Sequence, residues 1–207
     1  MTVVDVGVHI GYYTRLFARL VGPHGKVYAF EPHPDNFAIL QRNVRKFKNV
    51  VPVQAAVLDK EGEISLHESS IGTASHSLFE GRYPYVRKIS VQGVSLDSFL
   101  KSTEVDLVKI DVEGAESRVL NGMQGLIWRS ASLSLILEFY PPLLIKLQID
   151  PSELLNTLVA LGFEIYAIEE PAGSIVPLTS WHSRELLFTL TPKYVNLFAQ
   201  KKGGELD

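Results

Sequence analysis

The sequence predicts an α/β protein, a mostly parallel sheet with helices on both faces. Three observations predict it. Short apolar runs alternate with segments of helical spacing for most of the chain. A turn carrying Gly7 and Gly11 joins the first strand pattern to the first helix pattern. Carboxylates recur within two residues of several strand ends, where sheets of this kind bind their ligands.

Thr2–Val6 is a short apolar strand, and Tyr12–Val21 follows with Leu16, Phe17 and Leu20 at helical spacing until Gly22-Pro23 stops it. Lys26–Phe30 is a second strand, and Pro34–Phe47 a second helix with Phe37, Leu40 and Val44 on one face. Val50–Val57 reads as the third strand. Residues 59–94 break the alternation with short runs separated by Gly and Ser, the pattern of an inserted antiparallel segment. Ser95–Lys101 is a short helix, Val105–Ile110 a buried fourth strand, and Glu116–Gly122 opens the next helix. Leu133–Phe139 is the fifth strand, and Ser152–Leu161 a helix closed by Gly162. Phe163–Ile168 and Glu185–Leu190 read as the last two strands. With no repeat and no linker, residues 1–194 form one domain and 195–207 a tail that becomes polar from Lys201. A central strand that starts at the second residue is unusual, so an N-terminal covering element is expected to be missing.

Composition narrows the function classes. The 207 residues are 46% hydrophobic and 21% charged, as in ordinary globular domains. A formal net charge of −3 argues against a nucleic-acid partner. There is no cysteine, which excludes disulfides and thiolate-bound metal. No apolar run reaches the roughly 18 residues that span a bilayer, and no leader pattern opens the chain, so the cytosol is the expected compartment.

The Gly7–Gly11 loop has a Gly-x-x-x-Gly spacing with His9 in its middle. It lacks the Gly-Lys-Ser/Thr ending of a P-loop and does not fit G-x-G-x-x-G. Its glycines let the backbone turn and let a ligand approach. Glu31 lies 20 residues after Gly11, at the end of the second strand, where a carboxylate suits a ribose diol. The site therefore reads as one for a nucleoside without a clear phosphate seat. S-adenosylmethionine meets that description: Asp5 would favour its cationic parts, and the helix N-terminus its carboxylate. Gln54 and Ala55, after the third strand, and Asp111, after the fourth, are the other residues expected along the cofactor.

The segments DVGVHIGYYT, AFEPHPDNFAIL, VKIDVEGAESRVLNG and LILEFYPP, in this order and spacing, resemble FkbM-type S-adenosylmethionine-dependent methyltransferases from about Val3 to about Leu190. That resemblance implies the class I methyltransferase fold: a seven-stranded, mostly parallel sheet whose last strand is antiparallel. It also implies methylation of hydroxyl groups, on sugars, glycans or natural products. The family loop usually reads Asp-x-Gly-Ala-Asn-x-Gly; here Val8 and His9 stand in it, and His9 can still donate or accept a hydrogen bond as Asn does.

Asp111 follows the fourth strand, where this fold has its reaction centre, and is the first candidate for the base that takes the acceptor's proton. Glu113 is the second. Glu116 reads as an acid stabilised by its helix N-terminus. No metal is assigned, although Asp111, Glu113 and Glu138 are oxygen donors of the kind a hard cation takes. Lys109 is expected to be buried and paired with a carboxylate such as Glu138. The Glu138–Pro142 segment reads as a wall on the acceptor side. His24, His33 and His67 read as surface residues, His76 and His182 as loop residues that could border the substrate. Tyr83 and Tyr85 would stack on a sugar or pack the insertion down. Two other readings stay open: a degenerate methyltransferase-fold scaffold, and a nicotinamide-dependent oxidoreductase. The acceptor's identity and the oligomeric state are not legible.

Overall fold

The computed structural model describes residues 1–80, 83–169, 173–178 and 194–201. The chain begins with β1 (Thr2–Val6), α1 (Tyr12–Leu20), β2 (Lys26–Phe30), α2 (Pro34–Val44) and β3 (Val50–Val53). The insertion follows as β4 (Ala56–Val57), β5 (Gly62–Ser69) and β6 (Tyr85–Val94). Next come α3 (Leu96–Leu100), β7 (Leu107–Ile110), α4 (Glu116–Asn121), α5 (Gln124–Arg129), β8 (Ser134–Phe139), α6 (Pro141–Lys146) and α7 (Pro151–Ala160). β9 (Phe163–Glu169), β10 (Ser174–Pro177) and β11 (Val195–Lys201) complete the described elements.

The main sheet runs β10-β9-β11-β8-β7-β1-β2-β3. β8, β7, β1, β2 and β3 are mutually parallel, and β11 is antiparallel to both its neighbours, β8 and β9. This is the expected class I architecture, with β10 added as an antiparallel edge strand. The pleat divides the core. Val3 of β1 packs with Phe17, Ala18, Leu40 and Val44 of α1 and α2 on one face. Val4 and Val6 join the larger cluster built with α3 to α7 on the other.

The order of strands reverses between β7 and β1, so the crevice at their carboxyl ends is the switch point where ligands bind. The insertion folds as a small separate sheet, β4-β6-β5, with its own apolar contact of Ala56, Leu58, Leu66 and Val91.

Several expectations need correction. Val50–Val57 is not one strand: the Ala55 N–H folds back onto the Val53 carbonyl at 3.1 Å, and Ala56–Val57 pairs with β6 instead. α5 and α6 were not foreseen; each has six residues, too few to show a helical period. Residues 195–201 are not tail. β11 pairs with β8 over Val195–Gln200 and with β9 over Asn196–Lys201, with Leu197 and Ala199 fully buried. The strand expected at Glu185–Leu190 lies outside the described residues. No helix among the described residues is long and apolar enough to cross a membrane.

A chain ending at Tyr194 would lose both ladders of β11 and the Lys201 ammonium bond to the Ile127 carbonyl. Such a truncation is expected to abolish the cooperative thermal transition. A near-native melting temperature by circular dichroism would show that β11 is dispensable.

Candidate active site

The loop after β1 is shaped by left-handed backbone at Gly7, His9 and Gly11, with φ of +79°, +53° and +86°. His is one of the few side chains enriched in that region, so His9 fits the turn without glycine. The glycines serve different ends. A Cβ on Gly7 would overlap the carbonyl of Asp111, so Gly7 is what lets β1 and β7 end side by side at the crevice. A Cβ on Gly11 would press on Leu40, so Gly11 lets α1 approach α2. Gly11 does not line the cleft.

The loop's N–H groups are largely used within the protein. Gly7 and Val8 donate to the Phe30 carbonyl at 3.0 and 3.2 Å, and Gly11 to the Val8 carbonyl at 2.8 Å. The His9 N–H donates to Glu31 Oε2 at 2.8 Å. Glu31 Oε1 accepts from the His33 N–H at 3.0 Å and more weakly from Asn36 Nδ2 at 3.4 Å. One carboxylate thus joins the loop after β1 to the start of α2. Burial pushes the Glu31 carboxyl up to about 7, against the N–H donors that favour its ionised form.

The cleft at these strand ends is open to solvent, with about 580 Å³ of free space when its mouth is included. Gly7 and His9 line it from the first loop, Glu31 and Asn36 from the second, and Asp111 and Glu113 from the turn after β7. Ala55, Ala56, Val57, Leu66 and Leu78 supply an apolar side, and no Lys or Arg is among the described residues that line the cleft. The insertion forms the roof. His9 Nε2 lies 2.9 Å from Thr73 Oγ1, and Asn36 Nδ2 donates to the Thr73 carbonyl at 2.8 Å.

Of the expected site residues, Gly7, His9, Glu31, Ala55, Asp111 and Glu113 line this cleft. Asp5 and Gln54 do not. The pleat turns Asp5 under α1, where it is fully buried and its Oδ2 accepts from Thr14 Oγ1 at 2.6 Å. Burial pushes its carboxyl up to about 6, Lys109 and Thr14 opposing. Gln54 is exposed where the chain turns from β3 into β4.

Lys109 is buried, as expected, but its partner is Asp111 Oδ2 at 2.9 Å rather than Glu138, which pairs in register with Asn196 of β11. Glu116 is buried too, and its Oε1 accepts the Gly114 N–H at 3.1 Å; burial raises its carboxyl. Among the described residues, no three His, Asp or Glu side chains converge as a metal site.

Asn36, Thr73, His33 and His67 were missed or misjudged. His33 and His67 are buried, not surface residues. The His33 ring stacks on His76 at 4.1 Å between centroids, with Nε2 3.4 Å from Glu68 Oε2. His76 Nδ1 accepts the Ser69 N–H at 3.0 Å, which puts the ring proton on Nε2. Burial and the neighbouring His33 push His76 down to about 4. Tyr85 packs the insertion, its hydroxyl bonded to Glu80 and its ring against His67. His182 lies outside the described residues.

Residues 5–165 match the family described as methyltransferase FkbM domain. This chain belongs to that family. It is 34% identical over 125 residues to the hexuronic acid methyltransferase AglP of Haloferax volcanii, covering 58% of this chain and 48% of that protein. It is 30% identical over 139 residues to the 2-O-methyltransferase NoeI of Sinorhizobium fredii, covering 58% and 56%. The chain thus spans about half the length of these two relatives. Among solved structures, a SAM-dependent methyltransferase from Aquifex aeolicus superposes with a TM-score of 0.52 at 16% identity, covering 97% of this chain and 81% of that one. Fibrillarin of Aeropyrum pernix, solved with S-adenosyl-L-methionine bound, gives 0.52 at 14%, covering 96% and 65%. At such identities these structures establish a shared fold.

Glu31 gives a prediction about stability. Its carboxyl is raised from 4.5 to about 7, so the folded state holds the proton more tightly than the unfolded state. The contribution falls as pH rises through that window, by on the order of 2–3 kcal/mol. Glu31→Gln removes this dependence. Urea unfolding should show the variant gaining stability relative to wild type between pH 5 and pH 8. Any fixed cost of the amide cancels in that difference, and parallel curves would mean that Glu31 is not buried as described.

Proposed function

We propose that the chain is an S-adenosylmethionine-dependent O-methyltransferase acting on a hydroxyl of a sugar, glycan or natural product. One observation carries the choice of cofactor. The amides of Gly7, Val8, His9 and Gly11 are all paired inside the protein, and His9 donates to a carboxylate. A loop that holds the pyrophosphate of a nicotinamide dinucleotide would offer such amides to the ligand instead. What the cleft offers is a buried carboxylate beside an apolar slot, with no lysine or arginine among its described lining residues. That suits a nucleoside bearing no phosphate. The remaining lone pairs of Glu31 would accept the ribose hydroxyls, and the slot beside Ala55 and Leu66 would hold the adenine.

When bound, S-adenosylmethionine supplies an electrophilic methyl group on a sulfonium. Asp111 stands at the cleft with its side chain 40% exposed, reachable by an acceptor from solvent. As the acceptor's oxygen took the methyl group and the methyl–sulfur bond broke to leave a neutral thioether, the acceptor's O–H proton would pass to the Asp111 carboxylate and from there to water. Glu113, on the same turn, is the second candidate. The relatives named for a hexuronic acid and for a 2-O position support an oxygen acceptor on a sugar.

The test is a screen with labelled methyl donor against sugars, uronic acids and polyketide-like alcohols. With an accepted substrate, Asp111→Asn should keep cofactor affinity within about threefold and lower turnover by roughly 100-fold or more. Normal turnover in that variant would pass the role to Glu113. Binding of a nicotinamide dinucleotide but not of S-adenosylmethionine would overturn the reading.

A further inference from the structure

Two carboxylates and one ammonium lie together at the ends of β1 and β7. Asp5 and Lys109 are directly opposite in the parallel register, so their side chains leave the sheet on the same face. Asp5 is fully buried, and its Oδ1 has no hydrogen-bond partner. The Lys109 stem runs up beside it, only 8% exposed. Its ammonium sits 4.9 Å from the centroid of the Tyr13 ring and ends 2.9 Å from Asp111 Oδ2. A lysine so buried needs a reason, since burial of an ammonium costs several kcal/mol.

The geometry points to Lys109 as the positioning residue of the reaction: it fixes the Asp111 carboxylate through Oδ2 and leaves Oδ1 as the oxygen that meets the acceptor. This rests on the reading of Asp111 as the acceptor's base. Two contacts define the ammonium's place: α1 supplies the Tyr13 face and the turn after β7 supplies Asp111, while Asp5 of β1 lies opposite the lysine in register. Thr14 ties Asp5 to α1, the helix that carries Tyr13, so one helix holds both the anion and the ring that confine the lysine. A carboxylate at a mouth open to solvent would otherwise rotate freely about its side-chain bonds. Held at one oxygen, it presents the other in a single direction, which is what an in-line transfer needs. The charge count also fits the cofactor. Two carboxylates against one ammonium leave a net negative charge next to a site meant for a sulfonium. Were both carboxylates paired with cations, that attraction would be lost.

The experiment uses the full chain with an accepted substrate and compares Lys109→Met, Lys109→Arg and Asp111→Asn. Lys109→Met should lower kcat about 10–100-fold, the scale of a misplaced reacting group, while the calorimetric Kd for S-adenosylmethionine stays within about threefold. Lys109→Arg should recover kcat to within about threefold of wild type, because a guanidinium also stacks on a tyrosine and reaches a carboxylate. In a crystal structure of Lys109→Met, the Asp111 carboxylate should leave the orientation it has in the wild type. A purely structural lysine would lower the melting temperature but leave kcat of the folded fraction and the Asp111 orientation unchanged, and that result overturns the inference. Lys109→Arg as inactive as Lys109→Met overturns it too. Should Lys109→Met fail to fold, Asp5→Asn/Lys109→Met also removes the buried carboxylate that lies opposite the lysine in register. Failure of both to fold makes Lys109 a structural counter-ion and ends the proposal. Normal turnover in Asp111→Asn defeats the reading of Asp111 itself. An inactive Asp111→Asn beside a fully active Lys109→Met defeats only the role of Lys109.

Discussion

The site depends on one buried carboxylate. Glu31 collects the N–H of His9 from the loop after β1 and the N–H of His33 at the start of α2, with Asn36 alongside. Each bond to an ionised carboxylate contributes about 1.5–3 kcal/mol when formed. Without them, the left-handed loop after β1 and the start of α2 would have no common anchor. With them, the first loop is drawn over the end of β2, and its amides are turned away from the cleft. The same bonds hold Glu31 where a diol would meet it. Burial works against ionisation and the donors work for it, leaving a carboxyl poised near neutral pH.

The rest of the site follows from the sheet. Parallel strands bring all their carboxyl ends to one edge, and the reversal of order between β1 and β7 opens a crevice there. The pleat then sorts the acids. Asp5 turns under α1 and shapes the electrostatics from behind, while Glu31 and Asp111 face the cleft. The insertion closes the third side. Its contacts with the Glu31 end of the cleft run through Thr73, to His9 and Asn36, and through the His33–His76 stack. Both histidines lie in a polar cluster with Glu68, whose other partner is Arg87 at 2.8 Å. The roof is therefore attached to the same two loops that Glu31 joins.

Much of this was legible in the sequence, and the exceptions have physical causes. Apolar periodicity and glycine stops located most strands and helices as far as α4, where elements are bounded by clear turns; the unbroken apolar run at Val50–Val57 hid the break between β3 and β4. Glu31 and Asp111 were legible because strand-end positions in a parallel sheet converge. Asp5, expected at the cofactor, lies in the interior and not on the cleft, because one residue along a strand exchanges one side for the other. Gly11 sits against Leu40 of α2 and off the cleft, and a glycine required by a neighbouring helix looks the same in sequence as one required by a ligand. β11 reads as tail because Phe198 between Leu197 and Ala199 blurs any alternation, and its nearest partner in β9, Ile168, lies 28 residues before Asn196 (196 − 168), so nothing local announces the pairing. The buried states of His33 and His67 depend on the fold of the insertion, which no short-range pattern specifies. Asn36 and Thr73 are ordinary residues of a helix and a loop until the roof brings them to Glu31.

The central claim is that Glu31 is the seat of the nucleoside. Calorimetric titration of S-adenosylhomocysteine into wild type and Glu31→Ala, each shown to be folded by its thermal transition, tests it most directly. Loss of hydrogen bonds to a charged group predicts an affinity lower by about 1.5–3 kcal/mol, roughly 10- to 150-fold in Kd. The wild-type affinity should also weaken as pH falls below about 7, where the carboxyl takes up its proton. An unchanged Kd in a folded Glu31→Ala protein would contradict the account and place the cofactor elsewhere.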